Sequence, residues 1–347
     1  MNFASDNVTG AAPEIIEALS AAAAAGPEMP YGADSYTARA EALMSEVFEK
    51  EVSVFFVATG TAANSLSLSQ LVPPYGGAYC HEDAHIQVHE AGAPEHYGGK
   101  LIPVGGEHAK LTPAVLQPAI AKAVPPVHHV KPSAVSITQA SESGTVYTPE
   151  EIKALASCCR EHGMRLHMDG ARFANAVASM GVSPAETTWK AGVDALSFGA
   201  TKNGTLAAEA VVFFDPADGE EFAYRRKRGG HLFSKMRFLT AQWEAYLSGG
   251  LWLALADHAN AMAARLGSAL SEIPAVEILH PVEANMVFAE WPASTTDELV
   301  KQGFVFYAQE SEGRSRVRLV MAFNTRPEDV EKLIEAVRGH GAAQAAQ

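Results

Sequence analysis

The chain has 347 residues, of which 48% are hydrophobic and 19% charged, and its formal net charge is −14. That length and apolar share support one large domain plus a smaller one, each with a buried core, and exclude a disordered chain. The acidic balance leaves no basic surplus to neutralise phosphates, so neither nucleic acid nor a membrane surface is an expected partner.

Residues 1–12 read as an extended arm carrying Ser5, Asp6, Asn7 and Thr9. The first ten lack the basic-then-apolar order of a signal peptide. Residues 13–25 read as a helix, with Pro13 near its start and Ile15, Ile16 and Leu19 on one stripe. Gly26-Pro27 and Met29-Pro30-Tyr31-Gly32 break it, and residues 35–50 form a second helix. Residues 53–58 are the first clear buried strand. Thr59-Gly60-Thr61-Ala62-Ala63-Asn64 then opens a helix through Leu71. A strand, a small-residue turn and a helix start present backbone N–H groups to an anion. The turn is neither a Walker loop nor a Gly-x-Gly-x-x-Gly fingerprint, so a nucleotide is not the expected ligand.

Residues 77–80 suggest a short strand, followed by the loop His81-Glu82-Asp83-Ala84-His85 and a helix with His89 and Glu90. Three histidines beside carboxylates mark a candidate site, without the spacing of a metal centre. Residues 100–104 and 134–138 are further strands, and Thr112-Pro113 starts a helix between them. Thr148-Pro149-Glu150-Glu151 is a capping box with proline at the first helical position, so a helix runs to about His162. Cys158 and Cys159 lie on it. With Cys80 they make an odd number, which indicates no disulfide framework or metal site and fits a reducing cytoplasm. Residues 165–169 complete a βαβ unit, hence a parallel sheet with a right-handed crossover. Residues 193–198 and 210–214 extend that sheet. A basic run, Arg225-Arg226-Lys227-Arg228, precedes an aromatic helical region. A long helix follows over 251–270; its apolar start is too short to span a bilayer. Shorter alternating segments at 276–279, 284–289, 305–307 and 316–320 and a helix over 326–337 close the chain. The expected architecture is α/β: a large domain with a mostly parallel central sheet over 1–250, and a small C-terminal α+β domain over 251–347.

The stretch Leu166-His167-Met168-Asp169-Gly170-Ala171-Arg172 ends a buried strand in a turn, and Ala200-Thr201-Lys202-Asn203-Gly204 follows the next strand. Neighbouring parallel strands bring their carboxyl ends to one edge, where ligands bind. Asp169, Arg172 and Lys202 are therefore expected to face a common site. A lysine to condense with an aldehyde and an acid to hold a ring nitrogen suit a pyridine cofactor.

With Gly60 to Asn64, these residues resemble the low-specificity threonine aldolases, of the aspartate-aminotransferase-like (fold type I) pyridoxal-phosphate enzymes. Ser5-Asp6-Asn7-Val8-Thr9 resembles the family's arm and Tyr31-Gly32 its substrate-site turn. Ala84-His85 with Glu90-Ala91-Gly92 resembles the segment whose histidine stacks on the ring. Val317-Arg318-Leu319-Val320 resembles the strand whose arginine holds the substrate carboxylate. The resemblance implies pyridoxal 5'-phosphate tethered to Lys202, with Asp169 on the ring nitrogen, His85 on the ring face, and Gly60, Thr61 and Asn64 at the phosphate. Arg172 is assigned to the ring hydroxyl or the substrate carboxylate, Arg318 to that carboxylate, and Ser5 and Tyr31 to weaker substrate contacts. His129, or its neighbour His128, is a candidate to orient a water or the β-hydroxyl. The implied reaction is retro-aldol cleavage of a β-hydroxy-α-amino acid to glycine and an aldehyde, in a cytoplasmic homodimer or homotetramer without metal. β-Elimination or transamination on the same fold is the rival chemistry, and a non-catalytic module is the rival class. A binding module has no chemical need for both Lys202 and Asp169.

Overall fold

Seven strands build the larger of two sheets: β1 (Ser53–Val57), β2 (Gly76–His81), β3 (Lys100–Val104), β4 (Lys131–Thr138), β5 (Arg165–Gly170), β6 (Ala195–Gly199) and β7 (Glu209–Phe213). They lie in the order β1-β7-β6-β5-β4-β2-β3 in the computed structural model, which describes residues 1–123 and 126–345. The pairings among β2 to β6 are parallel, while β7 is antiparallel to both neighbours, β1 and β6. β6 and β7 are buried along their whole length, and β5 all but at Arg165. Helices cover both faces of such a sheet, which is why these strands read as near-continuous apolar runs.

The register fixes what meets at the carboxyl edge. Thr138 lies opposite Asp169, Asp169 opposite Ser197, and Glu209 stands between Gly199 and Val57. The helix Pro149–Glu161 begins with both hydrogen bonds of the Thr148–Glu151 capping box and buries Ile152, Leu155, Cys158 and Cys159 against the sheet. All three cysteines are buried and free. Around Phe198 an aromatic cluster packs edge to face, with Trp243 at 4.9 Å and Phe173 at 5.2 Å between ring centroids. Each such pair adds about 0.5–1.5 kcal/mol beyond its buried area.

The smaller sheet is antiparallel: β8 (Glu277–Ile278), β9 (Met286–Pro292), β10 (Tyr307–Ser311) and β11 (Arg314–Val320), in the order β10-β11-β9-β8. Its core includes Val287, Trp291, Leu319 and Leu333, the last from the closing helix Pro327–Ala345. The helix Leu251–Ser271 joins the two parts. Trp252 and Ala256 belong to the large core, whereas Ala263, Leu266 and Leu270 belong to the small one. Phe3 of the N-terminal arm is buried in the small core, and its N–H donates to the Val305 carbonyl at 2.7 Å. The arm is not extended throughout: Asp6–Val8 forms a 3-10 turn capped by Ser5 Oγ, which accepts from Asn7 N. Among the described residues no helix is long and apolar enough to cross a membrane.

Candidate active site

The carboxyl ends of β1, β4, β5 and β6 open onto a cleft of about 260 Å³. Its lining brings together seven of the residues expected from the sequence: Gly60, Thr61, Asn64, His85, Asp169, Arg172 and Lys202. Asp169 ends β5 and Lys202 lies in the 3-10 turn Thr201–Asn203 after β6, so parallel neighbours carry the pair to one edge. Lys202 is half-buried, and its amine has no hydrogen-bond or ion-pair partner among the described residues.

The helix Gly60–Leu71 starts at the cleft. Thr59 Oγ1 accepts from Ala62 N at 3.2 Å, which satisfies one of the amides a helix start leaves over. The N–H groups of Gly60 and Thr61 precede any intrahelical partner and remain for an anion. Nothing stands within 4 Å of where a Cβ of Gly60 would be, so a side chain there would fill this cradle. Asn64, expected at the phosphate, has its amide nitrogen committed elsewhere. Its amide nitrogen donates to Asp169 Oδ2 at 2.8 Å and to Glu90 Oε1 at 2.9 Å, aiming it at the aspartate. Its Oδ1 is buried without a hydrogen-bond partner, as is Glu90 Oε2.

Asp169 is only 4% exposed. Ala171 N donates to its Oδ1 at 3.0 Å, and Asn64 to its Oδ2, so both oxygens are held. Glu90 Oε1 also meets His85 Nδ1 at 2.9 Å. That hydrogen bond raises the His85 imidazole above its ordinary pKa, against burial, which lowers it; the Asp169 charge adds to the rise. Behind Asp169, His167 bridges Ser136 Oγ at 2.9 Å and Ser197 Oγ at 3.0 Å across three strands.

Arg172 is not free. Its Nε and Nη2 grip Asp6 at 2.7 and 2.9 Å, and Asn285 Nδ2 donates to the same carboxylate at 3.1 Å. Burial alone would raise the Asp6 carboxyl, but Arg172 and then Lys202 outweigh it and hold it below its ordinary pKa. Arg318 lies outside the lining, behind the arm. It donates to the Ala4 carbonyl at 3.1 Å and stacks over Tyr307, and its Nε is buried without a partner. Arg316, on the same strand face, is exposed and paired with Glu290.

Besides Arg318, three expected residues stand away from the cleft. Ser5 caps the 3-10 turn of the arm. Tyr31 is 50% exposed, in a left-handed conformation (φ 61°), with Lys227 over its ring. His129 stands at the opposite edge of the sheet. It precedes the first residue of β4, as does His128, whereas the cleft lies beyond the last, Thr138. Sequence reasoning also missed lining residues. Asn7, Thr138, Ser197 and Glu209 were given no role, nor were the carboxylates Glu90 and Glu142. Glu209 carried a legible signal, a lone carboxylate entering an apolar strand.

These groups fit pyridoxal phosphate: an unpartnered amine, a buried and hydrogen-bonded carboxylate, an open helix start with a glycine cradle, and orphaned polar atoms on two residues that line the cleft. The comparisons agree. Residues 2–293 match the beta-eliminating lyase family. The low specificity L-threonine aldolase of Pseudomonas aeruginosa is 45% identical over 338 residues, 97% of this chain and 96% of that protein. That of Saccharomyces cerevisiae is 26% identical over 325 residues, 89% of this chain and 79% of that one. Among solved structures, a Leishmania major threonine aldolase superposes with a TM-score of 0.92 at 28% identity, covering 98% of this chain and 99% of that one. Serine palmitoyltransferase of Sphingomonas wittichii, at 14% identity and a TM-score of 0.75 over the whole of this chain and 88% of its own, shares the fold. The chain belongs to the beta-eliminating lyase family of fold type I pyridoxal-phosphate enzymes, and within it to the low-specificity L-threonine aldolases.

Proposed function

We infer that the chain is a pyridoxal-phosphate-dependent aldehyde-lyase that cleaves L-threonine, L-allo-threonine and related β-hydroxy-α-amino acids to glycine and an aldehyde. One observation carries this reading: an unpartnered Lys202 amine, the Asp169 carboxylate and the open start of the helix Gly60–Leu71 share one cleft.

When bound, pyridoxal phosphate supplies a sink for the electron pair left at Cα as the Cα–Cβ bond breaks. Lys202 provides the amine that tethers it. Asp169 offers the ring nitrogen a carboxylate already fixed by Asn64 and Ala171 N–H, so no reorganisation is needed at the moment of reaction. The amides of Gly60 and Thr61 bind the phosphate. Arg172 keeps Nη1 for the substrate carboxylate, Nε and Nη2 each donating to Asp6, and Arg318 adds positive charge from behind the arm. His85 forms the wall against the ring. It is also the imidazole lining the cleft, which makes it, rather than His128 or His129, our candidate to take the β-hydroxyl proton.

We further propose a division into a large domain over 1–250 and a small one over 251–347, a cytoplasmic location, and self-association as a homodimer or homotetramer. The test of function is direct. Purified protein loaded with pyridoxal phosphate is given L-threonine and L-allo-threonine, and glycine and acetaldehyde are followed. Equal amounts of the two products are expected; ammonia with a keto acid would replace the lyase reading by elimination or transamination.

A further inference from the structure

Glu209 opens β7, the strand that runs against the rest of the large sheet, and stands between the last residues of β1 and β6. It is 7% exposed and lines the cleft with Lys202, Thr201 and Asp169. Thr201, the residue before Lys202, acts on this carboxyl through both its backbone and its hydroxyl. The same hydroxyl accepts from Ala208 N at 3.2 Å, so the two ends of the lysine loop are tied together. Gly199 makes room for the carboxyl: a Cβ there would stand 3.1 Å from Glu209 Oε2. A strand buried on both faces has no packing need for an acid, and the roles assigned above leave this one unused.

Burial pushes the Glu209 carboxyl up to about 7, with the Thr201 hydrogen bonds and the Lys202 charge pulling it down and Asp169 adding to the rise. The groups facing it are Thr201 and Lys202 after β6, Asp169 at the end of β5, and the Tyr246 hydroxyl of the helix Arg237–Leu247. Tyr246 is itself raised by burial and then by Glu209. Ionised, Glu209 favours a charged nitrogen on Lys202; protonated, it does not.

We propose that Glu209 is the positioning residue of Lys202: it fixes the Thr201–Lys202 turn and, as a carboxylate, favours the protonated state of the Lys202 nitrogen in the cofactor-loaded protein. The proposal rests on the pyridoxal-phosphate reading above.

Glu209→Gln keeps the size and an acceptor for Thr201 but removes the charge. Glu209→Ala removes both. The visible band of the loaded protein is titrated from neutral into alkaline pH, reporting proton loss at the Lys202 nitrogen. In Glu209→Gln its midpoint falls by about one pH unit or more, the low end of what an opposite charge contributes, with cofactor content unchanged. A merely structural role would leave that midpoint in place. Independently, infrared spectra of the cofactor-free chain should show a protonated-carboxyl C=O band that titrates near neutrality and is missing from Glu209→Gln. An unshifted midpoint in Glu209→Gln, or a carbonyl band that survives the substitution, overturns the proposal alone. A wild-type chain that takes up no pyridoxal phosphate overturns the cofactor reading and the proposal together. Should Glu209→Ala fail to fold, Glu209→Gln still decides.

Discussion

Asp6→Asn is the sharpest test of how the arm is joined to the site. Asp6 is 2% exposed and Arg172 8%, and two short hydrogen bonds join them, with a third from Asn285. Asparagine keeps the shape but removes the charge, and it points an N–H₂ where an acceptor is needed. Removing one partner of a buried pair costs about 3–5 kcal/mol, because the other charge stays buried. Asp169 and Glu142 also act on the Arg172 charge, so the lower end, about 3 kcal/mol, is expected. The assay is urea unfolding, with hydrogen exchange at Val305 and Val320, whose amides bond the arm's Met1 and Phe3 carbonyls. Both amides should lose protection in the variant. The Asp6 carboxyl is held below its ordinary pKa. Its contribution is therefore present above the unfolded value of about 3.9 and fades as pH falls through the folded one, so the two proteins should converge in acid. Asp6→Asn with Arg172→Met should recover part of the loss, since no lone charge is then buried. A variant within about 1 kcal/mol of the parent at neutral pH would refute the reasoning, because exposed pairs contribute no more than about that.

The other predictions are briefer. Asp169→Ala should lose nearly all turnover while the fold persists, checked by glycine production and circular dichroism; near-normal cleavage would remove Asp169 from its role. Borohydride treatment of the loaded protein should fix the label on Lys202, read by peptide mass; a label elsewhere would reassign the tether. His167 is buried and depressed to about 4, chiefly by desolvation, against an unfolded value of about 6.5. It should supply about 3 kcal/mol that is present above the unfolded value and lost as pH falls to the folded one, so His167→Gln should flatten that slope. Mixing an inactive Arg228→Ala subunit with an inactive Lys202→Ala subunit should restore activity if Arg228, at the exposed end of the basic run, reaches a neighbour's site; confirmed hybrids without recovery would end the cross-subunit idea.

Much of this was legible because it is local. The Thr148–Glu151 capping box, the βαβ order and the strand–turn–helix at Gly60 depend on residues a few positions apart, and each took its expected form. Asp169 and Lys202 are distant in sequence yet could be paired, since adjacent parallel strands deliver their carboxyl ends to one edge. By the same rule His129 falls at the amino edge, where a residue that precedes a parallel strand lies, away from this cleft. What was not legible depends on pairings across the whole chain. Nothing near Asp6 announces that it meets Arg172, 166 positions away. That contact requires the arm to cross the small sheet first, which Phe3 secures by burial in the small core. Nor does the position of Asn64 at a helix start announce its partners Glu90 and Asp169 on two other segments.

The same distinction explains Glu209. Read from the lysine loop, its lone carboxylate before the apolar run from Ala210 is legible, but its place beside the lysine is not. In the fold β7 turns back against its neighbours, so its first residue, not its last, lies at the carboxyl edge. The reversal takes a residue that would otherwise sit at the blind end of a parallel strand and sets it beside the lysine. A site built only from parallel strands would draw its groups from strand ends and the turns after them. Here one antiparallel strand adds a group from a strand start, buried on both sides by β1 and β6. Such a carboxyl is rigidly held and poorly solvated, two conditions for setting the charge of a neighbouring nitrogen.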